Sequence, residues 1–193
     1  FVACYNVFGN LIWKKIIGGT NVDGGMDIDV NADGVYVTGL YTNTATLSSL
    51  SSIIPNNGAI NNFVAALDRS NGNTLWDAVL GSPGNDYTIP LSNATIRRTG
   101  ISADENGVYL VTYFGGTVYR VYDAFDVLAT ALVDPIGPSE DYVVTAYTNS
   151  GNHNWSVLYD NEGSVLGALD ITNDCDGVYV SGVLHHDGYT PGG

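Results

Sequence analysis

Asp29-Val30-Asn31-Ala32-Asp33-Gly34-Val35-Tyr36-Val37-Thr38-Gly39 reads as a polar turn that feeds a β-strand. Asn, Asp and Gly make the turn because their side chains bond nearby backbone or leave φ free. Val-Tyr-Val-Thr makes the strand because β-branched and aromatic side chains suit a pleated surface. The pattern returns at Ser102 to Thr112 and again at Asp170 to Gly182, each time around Gly-Val-Tyr. Three occurrences predict a repeat, and a period of this kind outranks any single motif in deciding a fold.

A second element recurs with it. Phe1 to Ile17, Phe63 to Leu80 and Tyr142 to Tyr159 each read as two β-rich runs around a Gly-Asn turn, the signature of a hairpin. All three tryptophans, Trp13, Trp76 and Trp155, fall at one place in these hairpins. One Trp per unit predicts a packing anchor, with Tyr36, Tyr109 and Tyr179 as its counterparts in the Gly-Val-Tyr strands. The stretches Trp13 to Tyr36 and Trp155 to Tyr179 are almost equal in length. Trp76 to Tyr109 is longer, with an insertion around residues 87–95. A second variable region, 113–141, holds an extra strand over 117–122. Insertions at matching junctions of a repeat often emerge on one binding face.

Composition agrees with an all-β chain. The 193 residues are 45% apolar, with 24 Gly, 13 Tyr and 1 Met, and no Leu-, Glu- and Lys-rich helical runs. A net charge of -14 repels phosphate backbones and anionic membranes, so nucleic acid is not an expected partner. No stretch of about 18 apolar residues predicts a membrane-spanning helix. The chain opens within a unit and shows no leader pattern, which reads as a processed chain or an excerpt of a longer one.

Each unit thus holds four short strands: a (26–30), b (35–39), c (63–68) and d (74–80). Four antiparallel strands per unit, in series, predict β-propeller-type blades. One small sheet cannot bury both faces alone, but stacked sheets can. The chain, a single region over 1–193, divides near 1–24, 25–96, 97–164 and 165–193. In order these are c-d, abcd, abcd and a-b, about three blade-equivalents. Propellers carry roughly four to eight blades. The ring is therefore completed by a larger chain, by other copies, or by pairing of the first hairpin with the last.

The pattern Phe-Val-Ala, Gly-Asn-x-x-Trp, Gly-Gly-x-x-x-Asp and Asp-x-x-Gly-x-Tyr-Val-Thr-Gly resembles the seven-bladed β-propeller repeat family of bacterial and some viral surface proteins. It is carried here by Phe1-Val2-Ala3, Gly9 to Trp13, Gly18-Gly19 with Asp23, and Asp29 to Gly39. The second unit lacks the double Gly after its Trp. The resemblance implies an exported or surface-exposed propeller, on a cell or a virion, and transfers no catalytic residue. Ala66-Leu67-Asp68 through Gly72 to Trp76 also resembles the tryptophan-docking repeat of quinoprotein dehydrogenases, in one unit only.

Cys4 and Cys175 suit neither a zinc site nor a redox pair by spacing. Two readings stay open: buried thiols, or a Cys4–Cys175 disulfide locking a split blade. The second rests on aligning Cys4 with Ala66 and Thr145, and Cys175 with Ala32. Asp23, Asp27, Asp29 and Asp33 cluster as candidate calcium ligands, mirrored in part by Asp170, Asp174 and Asp176. The same residues are explained by tight turns and by the polar face of a strand, without a metal. His153, His185 and His186 have no ligand spacing. Asn93 and Asn154 stand in glycosylation sequons.

No set of residues specifies a reaction. The sequence reads as a non-catalytic structural or adhesive module making protein or glycan contacts and associating with copies of itself or with neighbouring blades. The alternative is a ligand-binding or enzymatic propeller, quinoprotein-like or glycosidase-like, with its site at the axis.

Overall fold

A computed structural model describes residues 1–18, 23–42, 60–82, 99–125, 127–133, 141–159 and 165–185. Among them the chain is all-β, without helix. The strands in order are β1 (Val2–Tyr5), β2 (Leu11–Lys15), β3 (Gly24–Val30), β4 (Val35–Thr42), β5 (Ile60–Leu67), β6 (Thr74–Gly81) and β7 (Gly100–Ala103). They continue as β8 (Val108–Phe114), β9 (Val118–Tyr122), β10 (Leu128–Val133), β11 (Asp141–Tyr147), β12 (His153–Tyr159), β13 (Val165–Asn173) and β14 (Val178–His185).

Among the described residues all pairings are antiparallel and fall into four sheets. The first is the hairpin β1-β2. The second has the order β10-β9-β6-β5-β4-β3, the third β12-β11-β8-β7, and the fourth is the hairpin β13-β14. The first and last hairpins are separate sheets, so they are not joined in one split unit.

The sheets stack face to face, because alternate residues along each strand point to opposite faces. Phe63, Ala65 and Leu67 of β5 pack with Val2 and Trp13 of the first hairpin. Val64 and Ala66 point the other way and pack with Val108, Leu110, Val143 and Tyr147 of the third sheet. The far face of the third sheet, through Val111, Tyr142 and Val144, packs on Ile171, Val178 and Val180 of the last hairpin. The inner faces of the second and third sheets thus form the main core.

The turns are built as their residues require. Asn31, Asp104 and Asp174 begin the three turns before Gly-Val-Tyr, and each side chain accepts amide hydrogens from within its own turn. Gly9, Gly72 and Gly151 close the three hairpin turns at φ of 81°, 73° and 87°, left-handed values that favour glycine.

Two expectations change. The strand over 117–122 exists as β9, but its insertion carries a second strand, β10, and the pair joins the edge of the second sheet through Leu80↔Val121 and Gly81↔Arg120. These strands are structural: Tyr119 and Val121 lie in the main core. Cross-strand pairing also moves one alignment by a residue. Cys4, Ala66 and Ala146 stand opposite Trp13, Trp76 and Trp155, so Ala146 replaces Thr145 as the counterpart of Cys4.

Candidate functional site

The tryptophans occupy the boundaries between sheets. Trp13 Nε1 donates to the carbonyl oxygen of Arg69 over 2.8 Å, in the β5-β6 turn of the next sheet. Trp76 Nε1 donates to the carbonyl oxygen of Asn149 over 2.8 Å, in the β11-β12 turn of the sheet after it. Each ring lies on the glycine of the turn it reaches. A Cβ at Gly72 would stand 2.5 Å from Trp13 Cε3, and one at Gly151 would stand 2.8 Å from Trp76 Cδ2. Glycine therefore serves twice here, for its φ and for the close approach of an indole.

Asn149 ties the second boundary together. Its Nδ2 donates to the carbonyl oxygens of Asp104 and Glu105, both over 3.1 Å. Its Oδ1 accepts from Asn31 Nδ2 at 3.1 Å and from Tyr36 Oη at 3.2 Å. Tyr36 and Tyr147 flank Trp76, with ring centroids 6.1 and 5.8 Å away. Burial raises the Tyr36 phenol above its ordinary value, and raises the fully enclosed Tyr147 well above it. Tyr147 Oη donates to the carbonyl oxygen of Tyr122 over 2.8 Å, fastening β9 to the third sheet.

The acidic residues do not converge. Asp27 and Asp29 lie on one face of β3. One oxygen of each accepts the following amide of its own strand, Ile28 and Val30, over 2.8 Å. The other oxygen reaches the outer edge of β7, the last strand of its sheet: Asp27 accepts from Ile101 N at 2.9 Å and Asp29 from Ala103 N at 2.7 Å. These carboxylates staple the edges of two sheets. Asp23 accepts from Thr42 N at 3.1 Å, and Asp33 is exposed in its turn. Among the described residues no three His, Cys, Asp or Glu side chains gather to hold a metal ion.

Cys4 is half-buried in β1 and Cys175 is exposed in the β13-β14 turn; both are free thiols, so the structure holds neither the bridge nor two buried thiols. Asn154 is exposed on β12, opposite in direction to Trp155, which leaves its side chain accessible despite its place in a strand. Asn93, His186 and the whole of the 87–95 insertion lie outside the described residues. His153 Nε2 is 2.9 Å from Ser156 Oγ, and burial lowers its pKa, partly offset by the charge of Asp123. Tyr109 packs near Trp155, centroids 6.4 Å apart.

Two open clefts are formed by described residues. A cleft of about 250 Å³ lies between the first hairpin and β3-β4, lined by Phe1, Ala3, Met26, Asp27, Ile28 and Val37 among others. The outer face of β13-β14 forms a shallow cleft along Asp170, Thr172, Tyr179 and Ser181. Both are open, with mixed polar and apolar linings, and the geometry suits a covering surface better than an enclosed small molecule. No helix among the described residues is long and apolar enough to cross a membrane.

Sequence reasoning singled out the tryptophans and tyrosines but missed Asn149 and the stapling role of Asp27 and Asp29. The signal for the carboxylates was present: they alternate along β3 with Met26, Ile28 and Val30 on the opposite face. No protein-family model matches the chain, and no curated protein matches it.

Proposed function

We propose that this chain is a non-catalytic contact module of β-propeller type, a surface-exposed run of blades that presents sheet faces and turns to proteins or glycans. The observation that carries the reading is the repeated boundary. At two successive sheet interfaces a tryptophan donates to the turn of the next sheet and rests on that turn's glycine. Such units bury their cores only by stacking on neighbours, so the natural work of the chain is to extend a surface. The four-stranded antiparallel order of the third sheet fits a blade. The low content of charged side chains, 13%, and the excess of acidic ones fit an exported surface rather than a nucleic-acid or membrane partner.

Immobilised chain screened against glycans and extracellular protein domains tests this directly. The reading predicts saturable binding to at least one partner that is abolished by substitutions on the exposed faces and unaffected by metal chelation or added quinone cofactor. Turnover of a glycoside or an alcohol would support the axial-enzyme alternative instead.

A further inference from the structure

The two clefts and the half-covered sheet faces are complementary. At matching positions, Ile101 and Ile171 are 4% and 5% exposed beneath a neighbouring sheet, while Ile28 on β3 is 52% exposed. The first hairpin covers only the β4-β5-β6 part of that face, leaving open over β3 the space that β3-β4 itself fills over β7 of the third sheet; β13-β14 is the hairpin that matches β3-β4 in the repeat. The reverse holds at the other end. Ala78 and Leu80, beside Trp76, are fully buried, whereas Val157 and Tyr159, in the same places beside Trp155, are 57% and 53% exposed. β6 is flanked by β9 and covered by the β11-β12 hairpin of the next sheet, whereas β12 is the edge strand of the third sheet and has no hairpin over its outer face among the described residues.

The docking elements are unmatched in the same way. Trp155 is half-exposed, and its indole N–H makes no hydrogen bond with any described residue. The β1-β2 turn has the hydrogen bonding of the β11-β12 turn, with Gly9 N donating to Asn6 O over 2.9 Å as Gly151 N donates to Thr148 O over 2.9 Å. Yet a Cβ at Gly9 would meet nothing within 4 Å among the described residues, where Gly72 and Gly151 each meet a tryptophan.

We infer that a second copy of this chain fills these places, head to tail. The β13-β14 hairpin of one copy lies beside β1-β2 of the next, β14 pairing with β1, to complete one four-stranded sheet. Trp155 of the first copy then rests on Gly9 of the second and donates to its β1-β2 turn. The occupant is argued from the chain itself: this contact is made twice inside it, and each missing half is one that it supplies at its other end. The inference rests on the stacked-blade reading. A head-to-tail contact of this kind closes into a ring or grows into a filament.

The test is sedimentation velocity on the 193-residue chain in about 0.15 M salt, where repulsion between acidic copies is screened. The wild type is expected to associate with rising concentration. Trp155→Ala and Gly9→Asn, the latter adding bulk at a left-handed position that Asn tolerates, are each expected to weaken association about tenfold or more. Trp155→Ala keeps an open turn and Gly9→Asn keeps the tryptophan. Mixed, they should form one-to-one dimers that grow no further. A wild type that stays monomeric to roughly 1 mM, or association indifferent to both substitutions, overturns the proposal. Hydrogen exchange on the same samples separates the two levels. Slow exchange at Ile101 and Ala103 in a monomer refutes the docking alone; rapid exchange there refutes the stacked sheets beneath it.

Discussion

The indole N–H of Trp76 and the backbone carbonyl of Asn149 meet at 2.8 Å across the boundary between two sheets. Trp13 and Arg69 repeat the relationship one boundary earlier. A bond to a carbonyl does not depend on the side chain that carries it. That is why Arg and Asn serve equally at the accepting position, and why the pattern is invisible in the turn residues themselves.

Trp76→Ala is expected to destabilise the chain by about 3–5 kcal/mol, the range for truncating a large aromatic in a core. Trp155→Ala, at the same place in a half-covered sheet, should cost only about 1 kcal/mol in dilute solution, in proportion to the smaller area buried. Urea titration of both variants checks the contrast. Equal losses would contradict the assignment of Trp155 to an open boundary.

Glycine substitutions should follow the same order. Gly151→Ala incurs both a left-handed φ penalty of about 1–2 kcal/mol and a clash with Trp76 and Ala124. Gly9→Ala incurs the φ penalty alone, since its surroundings are open. The difference between the two midpoints of denaturation measures the docking contact free of the backbone effect.

Asp27→Ala should leave the Ile101 amide without its acceptor and weaken the link between β3 and β7 by about 1–3 kcal/mol. Amide exchange at Ile101 should accelerate while exchange at Ala103, held by Asp29, changes less. Equal acceleration along all of β7 would mean that the two carboxylates act as one unit.

Stability should fall at both extremes of pH. The Tyr147 phenol is raised by burial, so the folded chain keeps a proton that the unfolded chain releases near pH 10. Its contribution is complete below that pH and is lost as pH climbs toward the folded value. His153 is lowered by burial, so its contribution is present above about pH 6.5 and is lost as pH falls through the folded value. Tyr147→Phe should flatten the alkaline slope of the thermal midpoint, and His153→Gln the slope on the acid side.

Much of this arrangement was legible in the residues. The Gly-Val-Tyr strands and Trp hairpins named the strands and their antiparallel pairing, because turn chemistry and β-branched runs act over short distances. What joins the sheets was less legible. Asp27 read only as the polar face of a strand or a calcium candidate, because its acceptor role requires the edge of β7, 74 residues away in sequence. β10 was missed because Leu128 to Val133 alternates weakly and pairs only with its own insertion. The Cys4–Cys175 bridge failed because it assumed both hairpins in one sheet, whereas they stand on opposite sides of the stack.

Disulfide trapping between copies tests the central geometry most directly. Tyr36 stands opposite Ala66 where β4 pairs with β5. The equivalent pair in the composite sheet is Tyr179 of one copy and Cys4 of the next. With Cys175 replaced by Ser, Tyr179→Cys should cross-link to Cys4 of a neighbouring copy under mild oxidation. The product should be a ladder of covalent oligomers that the further change Cys4→Ser abolishes. A chain that remains a folded monomer under the same oxidation, with no ladder, would contradict head-to-tail completion of the sheet.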